Sequence, residues 1–236
     1  MSKTLIHLLT GMIVSLLLLP HPVVAQNYPT RFLGFPIDGS RDVIDQNLKA
    51  KGFVYHLNED YFTGLFYGEP VYIFINTRDS RLNRILLFDI NQRNEKGIIK
   101  RFNEMYDRFK DNKNYSYMSG NKRKIAEDED VKANVSQYCR TYKIVYEQKR
   151  KSAADSIDIQ QQALRHKTIT NEEIEEMTKG YHQRLSRIHA RALMRSVSTT
   201  DDRSMNQVWF TIVEKNGKYA LALSFDNLHN FTQPED

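Results

Sequence analysis

The sequence predicts an α+β fold, in which an antiparallel β-sheet has helices packed on one face and an inserted helical hairpin. Three observations lead to this prediction. Residues 61–90 contain three strand-forming runs separated by turn-forming clusters. Residues 95–110 carry apolar side chains at helical spacing. In residues 152–203 the strand-forming pattern stops, and the segment is typical of two helices.

The first 25 residues are predicted to be a secretory signal peptide. Lys3 provides a positive start, Leu5 to Leu19 is mostly apolar, and small residues lead to a cleavage site after Ala25. The apolar stretch is too short to favour a permanent membrane anchor. We therefore expect an exported protein, with a single α+β domain over residues 26–236 and no transmembrane segment after cleavage of the signal.

Composition narrows the class of protein. The 34 Lys and Arg residues exceed the 29 Asp and Glu residues only slightly, giving a net charge of +5. Such a balance is a weak indication of any partner, and nucleic acid is not expected for an exported chain. Because Cys139 is the only cysteine, no disulfide can form within the chain, and the fold must depend on its hydrophobic core.

The elements before the central strands are short. Phe32–Ile37 is predicted to be an edge strand. Ser40 is a candidate N-cap for a helix from Arg41 to about Lys51, and Gly52 is the expected C-terminal stop. A strand is predicted to begin at Phe53.

Residues 61–90 are predicted to form three consecutive antiparallel strands, with turns at Gly68–Pro70 and Thr77–Ser80. In the middle strand, alternate residues point to opposite faces, and both faces are largely apolar. This pattern favours a central strand with one face under helices and the other partly covered. A ligand groove on the second face is the alternative. One face of this strand carries Val71, Ile73 and Ile75. The other face carries Tyr72 and Phe74.

A second helix is predicted over Glu95–Lys110, followed by a short strand at Asn114–Met118. Asn121–Val131 is predicted to be a charged loop. Its acidic run, Glu127–Asp130, lacks the alternating ligands and the glycine of a calcium loop, so no metal site is expected there. A long strand is predicted over Tyr138–Glu147.

Residues 152–203 are predicted to be a helical hairpin inserted between two strands. A capping box at Thr170–Glu173 precedes an apolar stripe at spacings of three and four residues, which needs a partner helix or the sheet. The same helix has acidic residues first and basic residues later. That order suits the helix dipole, or alternatively forms a basic surface for an anionic partner. The candidate binding residues are Lys179, His182, Arg184, Arg187, Arg191 and Arg195.

The C-terminal part is predicted to be a β-hairpin. Gln207–Val213 and Lys218–Phe225 flank Asn216-Gly217, the strongest short hairpin signal. One face of the last strand carries only small side chains, which permits close approach of a helix or a ligand. Asp226–Asn230 is a polar segment after this strand, where site residues often lie.

The sequence contains no recognisable catalytic motif. There is no G-x-S-x-G, no H-E-x-x-H and no glycine-rich phosphate loop. The histidines have no metal-ligand spacing. No catalytic residue, metal or cofactor is therefore predicted.

Several segments resemble a group of small exported proteins of Bacteroidales bacteria whose function is unassigned. The resemblance implies an exported α+β domain in a Gram-negative envelope, and it brings no catalytic residues. The order of helix and strands, which occurs once from Ser40 and again from Glu95, also resembles the duplicated layout of β-lactamase-inhibitor-like binding modules. The segments that carry the Bacteroidales resemblance are Phe32–Ser40, Leu48–Phe53, Glu127–Asp130, Val208–Phe210, Lys218-Tyr219 and Phe225–Asn227.

These observations favour a binding or interaction module in the periplasm or at the cell surface. Its expected partner is an anionic envelope component or another envelope protein. The first alternative is an envelope hydrolase with a site near the C-terminal strand, which requires at least two of His56, Asp226, His229 and Cys139 to meet in one cleft. The second alternative is a purely structural envelope protein, which predicts an apolar surface patch.

Overall fold

The computed structural model of the chain describes residues 28–136, 141–149 and 206–230. Its main feature is an eight-stranded antiparallel sheet with the strand order β3-β4-β5-β6-β10-β9-β8-β7. The predicted antiparallel sheet is thereby confirmed. The strands are β1 Arg31–Phe32, β2 Phe35–Pro36, β3 Val54–His56, β4 Tyr61–Phe66, β5 Glu69–Arg78, β6 Arg81–Asp89, β7 Tyr115–Gly120, β8 Lys143–Gln148, β9 Asn206–Lys215 and β10 Lys218–Asn227.

The three predicted central strands, β4 to β6, are confirmed, but their turns are tighter than the sequence suggested. Tyr67-Gly68 and Asp79-Ser80 both have positive φ angles, as does Asn216-Gly217 between β9 and β10. Two central residues with positive φ match the right-handed twist of the flanking strands. Consequently Glu69 and Pro70, predicted as turn residues, already belong to β5.

The predicted edge strand Phe32–Ile37 is wrong. The chain instead turns back at Leu33-Gly34, where φ is 47° and 89°. The two short strands β1 and β2 then pair with each other in a separate two-stranded sheet. Phe32 packs against Phe66 and Phe225, so this small hairpin is held by aromatic contacts with the main sheet.

The described residues include three α-helices: α1 Arg41–Ala50, α2 Glu95–Lys110 and α3 Val131–Ser136. The first two agree with the predicted helices. Helix α2 begins after Asn94, whose side chain accepts a hydrogen bond from the Gly97 amide at 2.9 Å. Helix α3 was missed, because the segment looked like the end of a charged loop. Of these residues, no helix has the length and hydrophobicity that a membrane span requires.

The first hydrophobic core contains buried side chains of α1 and α2 together with residues of the sheet strands. Ile44 and Leu48 of α1 and seven side chains of α2 are buried in or next to it. The rings of Phe102 in α2 and Phe210 in β9 are 5.2 Å apart. Tyr142, Ile144 and Tyr146 share this face, as predicted from their alternation. These contacts connect α2 to the C-terminal half of the sheet.

The second hydrophobic core lies on the opposite face. Tyr72 and Phe74 of β5 belong to it, whereas Val71 and Ile73 belong to the first core, so the predicted division of β5 is confirmed. The cluster crosses the sheet from Tyr61 in β4 to Val145 in β8. It contains strand residues together with Ile90, whose amide bonds to the Pro70 carbonyl and so continues β6.

Candidate functional site

A buried charge pair lies on the second face of the sheet. Arg84 of β6 donates from Nε and Nη2 to the two carboxylate oxygens of Asp226 in β10, each at 2.7 Å. Both side chains are almost fully buried. A two-pronged guanidinium–carboxylate contact of this kind is stronger and more directional than a neutral hydrogen bond. It is therefore the most specific polar feature on this face.

Strand register explains how these residues meet. Asp226 pairs directly with Arg84 on one side and with Gln207 on the other, so all three point to the second face. Ser224 lies two residues earlier on β10, opposite Trp209 of β9. The small residues that the sequence showed on this face of β10 thus leave room for larger neighbours.

The Asp226 carboxylate receives two further hydrogen bonds. Trp209 Nε1 donates to Oδ2 at 2.8 Å, and Ser224 Oγ donates to Oδ1 at 2.5 Å. Four donors therefore surround one carboxylate, which offsets the cost of removing its charge from water. This arrangement holds the carboxylate in a fixed position and leaves it no role as an exposed acid or base.

Lys143 of β8 lies at the edge of this cluster. Its Nζ atom is 4.9 Å from the centre of the Trp209 ring, within the range of a cation–π contact. Partial burial lowers the pKa of Lys143, an effect that Asp226 opposes and Arg84 reinforces. The Arg84 guanidinium lies 5.7 Å from the centre of the same ring, so Trp209 is close to two cations as well as to the Asp226 carboxylate.

Aromatic side chains continue the second face beyond the polar cluster. Tyr61 and Tyr72 make an edge-to-face contact at 5.1 Å, and Phe74 contacts Phe88 in the same geometry at 5.9 Å. Burial raises the pKa of Tyr61 to about 12. The face therefore combines a wide aromatic area on β4 to β6 with one charged cluster on β6, β10 and β9.

The segment predicted as an insertion begins and ends beside this cluster. Glu147 of β8 pairs with Gln207 of β9, so the chain leaves and re-enters the sheet at neighbouring positions. Across the sheet, Gln207, Asp226 and Arg84 continue the same row. Gln148 is fixed by hydrogen bonds to the backbone of Arg31 at 2.6 and 3.0 Å. Both ends of the insertion are therefore anchored on described structure.

The predicted binding residues Lys179, His182, Arg184, Arg187, Arg191 and Arg195 lie outside the described residues, as does Cys139. Of the remaining residues of the hydrolase alternative, His56 and Asp226 lie in distant strands of the sheet. His56 in β3 contacts Thr63 at 2.8 Å and is four strands from Asp226. His229 lies near Asp38, where burial lowers its pKa and Asp38 partly opposes that shift.

The polar segment after β10 has a structural role. Asn227 donates to the Ile37 carbonyl at 2.8 Å, and Asn230 donates to the Leu82 carbonyl at 2.6 Å. These bonds fix the segment before α1 against the end of the sheet. Within the polar segment 226–230, the two asparagines therefore anchor the chain, whereas Asp226 belongs to the buried charge pair.

The acidic run 127–130 caps a helix. Asp130 accepts a hydrogen bond from the Ala133 amide, and Glu129 accepts one from the Tyr142 hydroxyl at 2.7 Å. A surface groove of about 460 Å³ separates this run from the start of α2. Within the described ranges, no three His, Cys, Asp or Glu side chains are grouped as a metal site.

Sequence reasoning missed the Arg84–Asp226 pair, because its members are 142 positions apart. The available signal was Arg84 directly before the apolar run Ile85–Phe88 of β6, since a charge in a buried strand needs a partner. Comparison with protein-family models, curated proteins and solved structures finds no match to this chain. A functional proposal therefore has to rest on the residues themselves.

Proposed function

We propose that this protein is an exported, non-catalytic binding module of a Gram-negative envelope. In this proposal the sheet is a scaffold, and residues 152–203 form the binding element. The six cationic candidates, from Lys179 to Arg195, contact an anionic envelope component or an acidic face of another envelope protein. The export signal and the resemblance to Bacteroidales envelope proteins support the location.

One observation carries the proposal: the two ends of the insertion are held side by side. Glu147 and Gln207 are paired, and Gln148 is tied to Arg31 by two hydrogen bonds. An element presented from paired, anchored strands is positioned by a rigid scaffold, which is how binding loops are commonly displayed. The concentration of basic residues in that element supports an anionic partner.

The proposal includes a specific arrangement of the fold. The helices α1 and α2 lie on the first face of the sheet, and residues 152–203 form a helical hairpin between β8 and β9. The aromatic contacts of Phe102 and Phe109 with Phe210 support the position of α2. The capping box and the apolar stripe support the hairpin.

The experiment is a pull-down from the envelope extract of a Bacteroidales bacterium. Three versions of residues 26–236 serve as bait: the unchanged chain, a deletion, and a charge variant. In the deletion, Asn-Gly replaces residues 149–205, because Gln148 would then face Asn206 across a two-residue turn. The charge variant changes Arg184, Arg187, Arg191 and Arg195 to Gln.

A charge-matched control separates specific binding from general basicity. It changes four exposed cations on the described surface to Gln: Lys51, Lys96, Lys100 and Arg123. We expect the unchanged bait and this control to retain the partner, and the deletion and the charge variant to lose it. Binding should also weaken as salt is raised. A partner retained by the deletion would place the site on the sheet and refute the proposal.

A further inference from the structure

The second core contains no helical side chain among the described residues. Every buried apolar residue of α1 and α2 belongs to the first core, whereas strand residues and Ile90 make up the second. Nevertheless the second core is closed. Trp209, Leu86 and Ala222 are 0% exposed, and no buried member of the cluster exceeds 5%. Something other than the described helices must cover it.

The cover comes from the same chain, because this burial is found in a single molecule. The candidates are the parts of the chain outside the described ranges. Residues 1–25 are predicted to be a signal peptide that is cleaved off, so we do not expect them in the mature chain, and the short segments 137–140 and 231–236 cannot cover six strands. The long segment between β8 and β9 remains. It also leaves and re-enters the sheet at the row that contains Gln207 and Asp226.

We propose that the apolar stripe of residues 172–195 docks on the second face of the sheet. The cluster spans β4 to β8, six adjacent strands in the sheet order, and strands lie about 4.8 Å apart, so it is roughly 24 Å wide. The stripe covers residues 174–192, which is about 27 Å of helix at 1.5 Å per residue. The two apolar surfaces therefore match in extent. The stripe consists of Ile174, Met177, Tyr181, Leu185, Ile188 and Ala192.

If the apolar stripe docks on the sheet, its position determines which side chains of the helix remain exposed to solvent. Arg184, Arg187, Arg191 and Arg195 recur at spacings of three and four residues, so they form a strip of their own. At 100° per residue, this strip lies roughly 90° around the helix axis from the stripe. The arginines therefore remain at the surface. The docking inference does not depend on the proposed function, because it concerns contacts within the chain.

Trp209 reports directly on the inference, because it is the only tryptophan and lies in the second core. The measurement is tryptophan emission and acrylamide quenching of residues 26–236 and of the deletion with Asn-Gly in place of 149–205. We expect a blue-shifted, poorly quenched emission from the intact chain. The deletion should shift emission to longer wavelength and raise the quenching constant several-fold.

A second pair of variants decides the question if the deletion does not fold. Leu185→Asp with Ile188→Asp places two charges in the stripe, whereas Ser186→Asp with Ala190→Asp places the same charges on the opposite side of the helix. We expect increased quenching of Trp209 in the first variant and none in the second. Equal behaviour of the two variants would overturn the inference.

Other occupants of the second face give different results. If the signal peptide is the cover, Trp209 is already accessible in residues 26–236. If a second copy is the cover, quenching falls as protein concentration rises. Either result overturns the proposal. A pull-down that finds no partner leaves the fluorescence result intact, so the two proposals can fail separately.

Discussion

Among the described residues, each face of the sheet has a buried arginine–aspartate pair, and the two pairs connect different parts of the molecule. On the first face, Arg101 of α2 binds both oxygens of Asp89 at 2.9 and 3.0 Å, across a separation of 12 residues. On the second face, Arg84 binds Asp226 across 142 residues. The first pair ties a helix to the strand before it. The second ties strands on either side of the insertion.

The surroundings of the pairs also differ. Arg93 donates to Asp89 and also to Glu69, which is partly exposed, so the first pair belongs to a wider ion-pair network. Asp226 instead receives bonds from Trp209 and Ser224 within the buried face. A buried pair is weak evidence of stability by itself, because desolvation offsets attraction. The first pair is thus linked to a second acidic residue, whereas the carboxylate of the second pair is shared with two uncharged donors.

The largest expected effect is at Asp226. Changing Asp226→Asn removes the carboxylate that the buried Arg84 guanidinium contacts through two hydrogen bonds, and we expect a loss of about 3–5 kcal/mol in the free energy of unfolding. Urea denaturation of residues 26–236 measures it. The double change Arg84→Met with Asp226→Leu removes both charges and should recover part of the loss, because Trp209 and Ser224 still lose their acceptor. A double variant as unstable as the single one would show that the pair itself is not the cause.

Asp89→Asn should cost less than Asp226→Asn, at about 3 kcal/mol, because Glu69 remains as a negative charge near both Arg93 and Arg101. The same denaturation experiment gives the difference. Glu69→Gln is the companion variant, and we expect it to cost about 1 kcal/mol or less, since this ion pair is partly exposed. If Asp89→Asn costs more than Asp226→Asn, the proposed contrast between the faces is wrong.

Packing of the first face can be tested at Gly64 in β4. A Cβ atom there would lie 2.3 Å from a ring carbon of Phe53, so the ring would have to move. We expect Gly64→Ala to destabilise the protein by about 1–3 kcal/mol through overpacking. Combining it with Phe53→Leu should reduce the penalty if the clash is the cause. An unaffected denaturation midpoint in the single variant would contradict the tight packing of the Phe53 ring against Gly64.

The N-terminal caps of α1 and α2 allow a matched comparison, for which we expect a smaller effect on stability. Asn94→Ala removes a side-chain cap and should cost about 1 kcal/mol. Ser40→Ala at the start of α1 removes a side chain that makes no cap hydrogen bond, and we expect little change. Thermal unfolding of both variants gives the comparison. Equal losses would indicate that Ser40 caps α1 in solution.

The smallest effect concerns pH on the second face. Burial lowers the pKa of Lys143 in the folded chain, so folding penalises its charged form. The penalty is fully present below the folded pKa and disappears as pH rises towards 10.5, where the unfolded chain also loses the proton. The stability of the unchanged chain relative to Lys143→Met should therefore increase with pH over that window. Denaturation of both proteins in parallel at several pH values measures this, and a constant difference would refute it.

Local chemistry made much of the fold predictable. Helix α2 follows from the apolar spacing between Ile98 and Phe109, and the last hairpin follows from Asn216-Gly217. The alternation in β5 correctly divided its side chains between two cores. Each of these signals lies within a few residues, so no knowledge of distant contacts was needed.

The errors arose where distant contacts decide the structure. The chain turns back at Leu33-Gly34 because Phe32 packs against Phe66 and Phe225, neither of which is close to it in sequence. Helix α3 is short and depends on Asp130 as its cap. The candidate site was even less accessible to prediction, because Arg84 and Asp226 meet only through the register of β6 and β10.

The adjacency of Gln148 and Asn206 has a consequence for how this chain can change over evolution. Closing a flexible loop becomes harder only slowly with its length, by about 0.6 kcal/mol for each doubling. A segment of several dozen residues at this position therefore costs roughly 3 kcal/mol more than a two-residue turn. Sequences of very different length and content could be exchanged at this joint while the strands beneath kept their pairing. The sheet can therefore tolerate different insertions at this position, and we expect the sequences of related chains to differ most between β8 and β9.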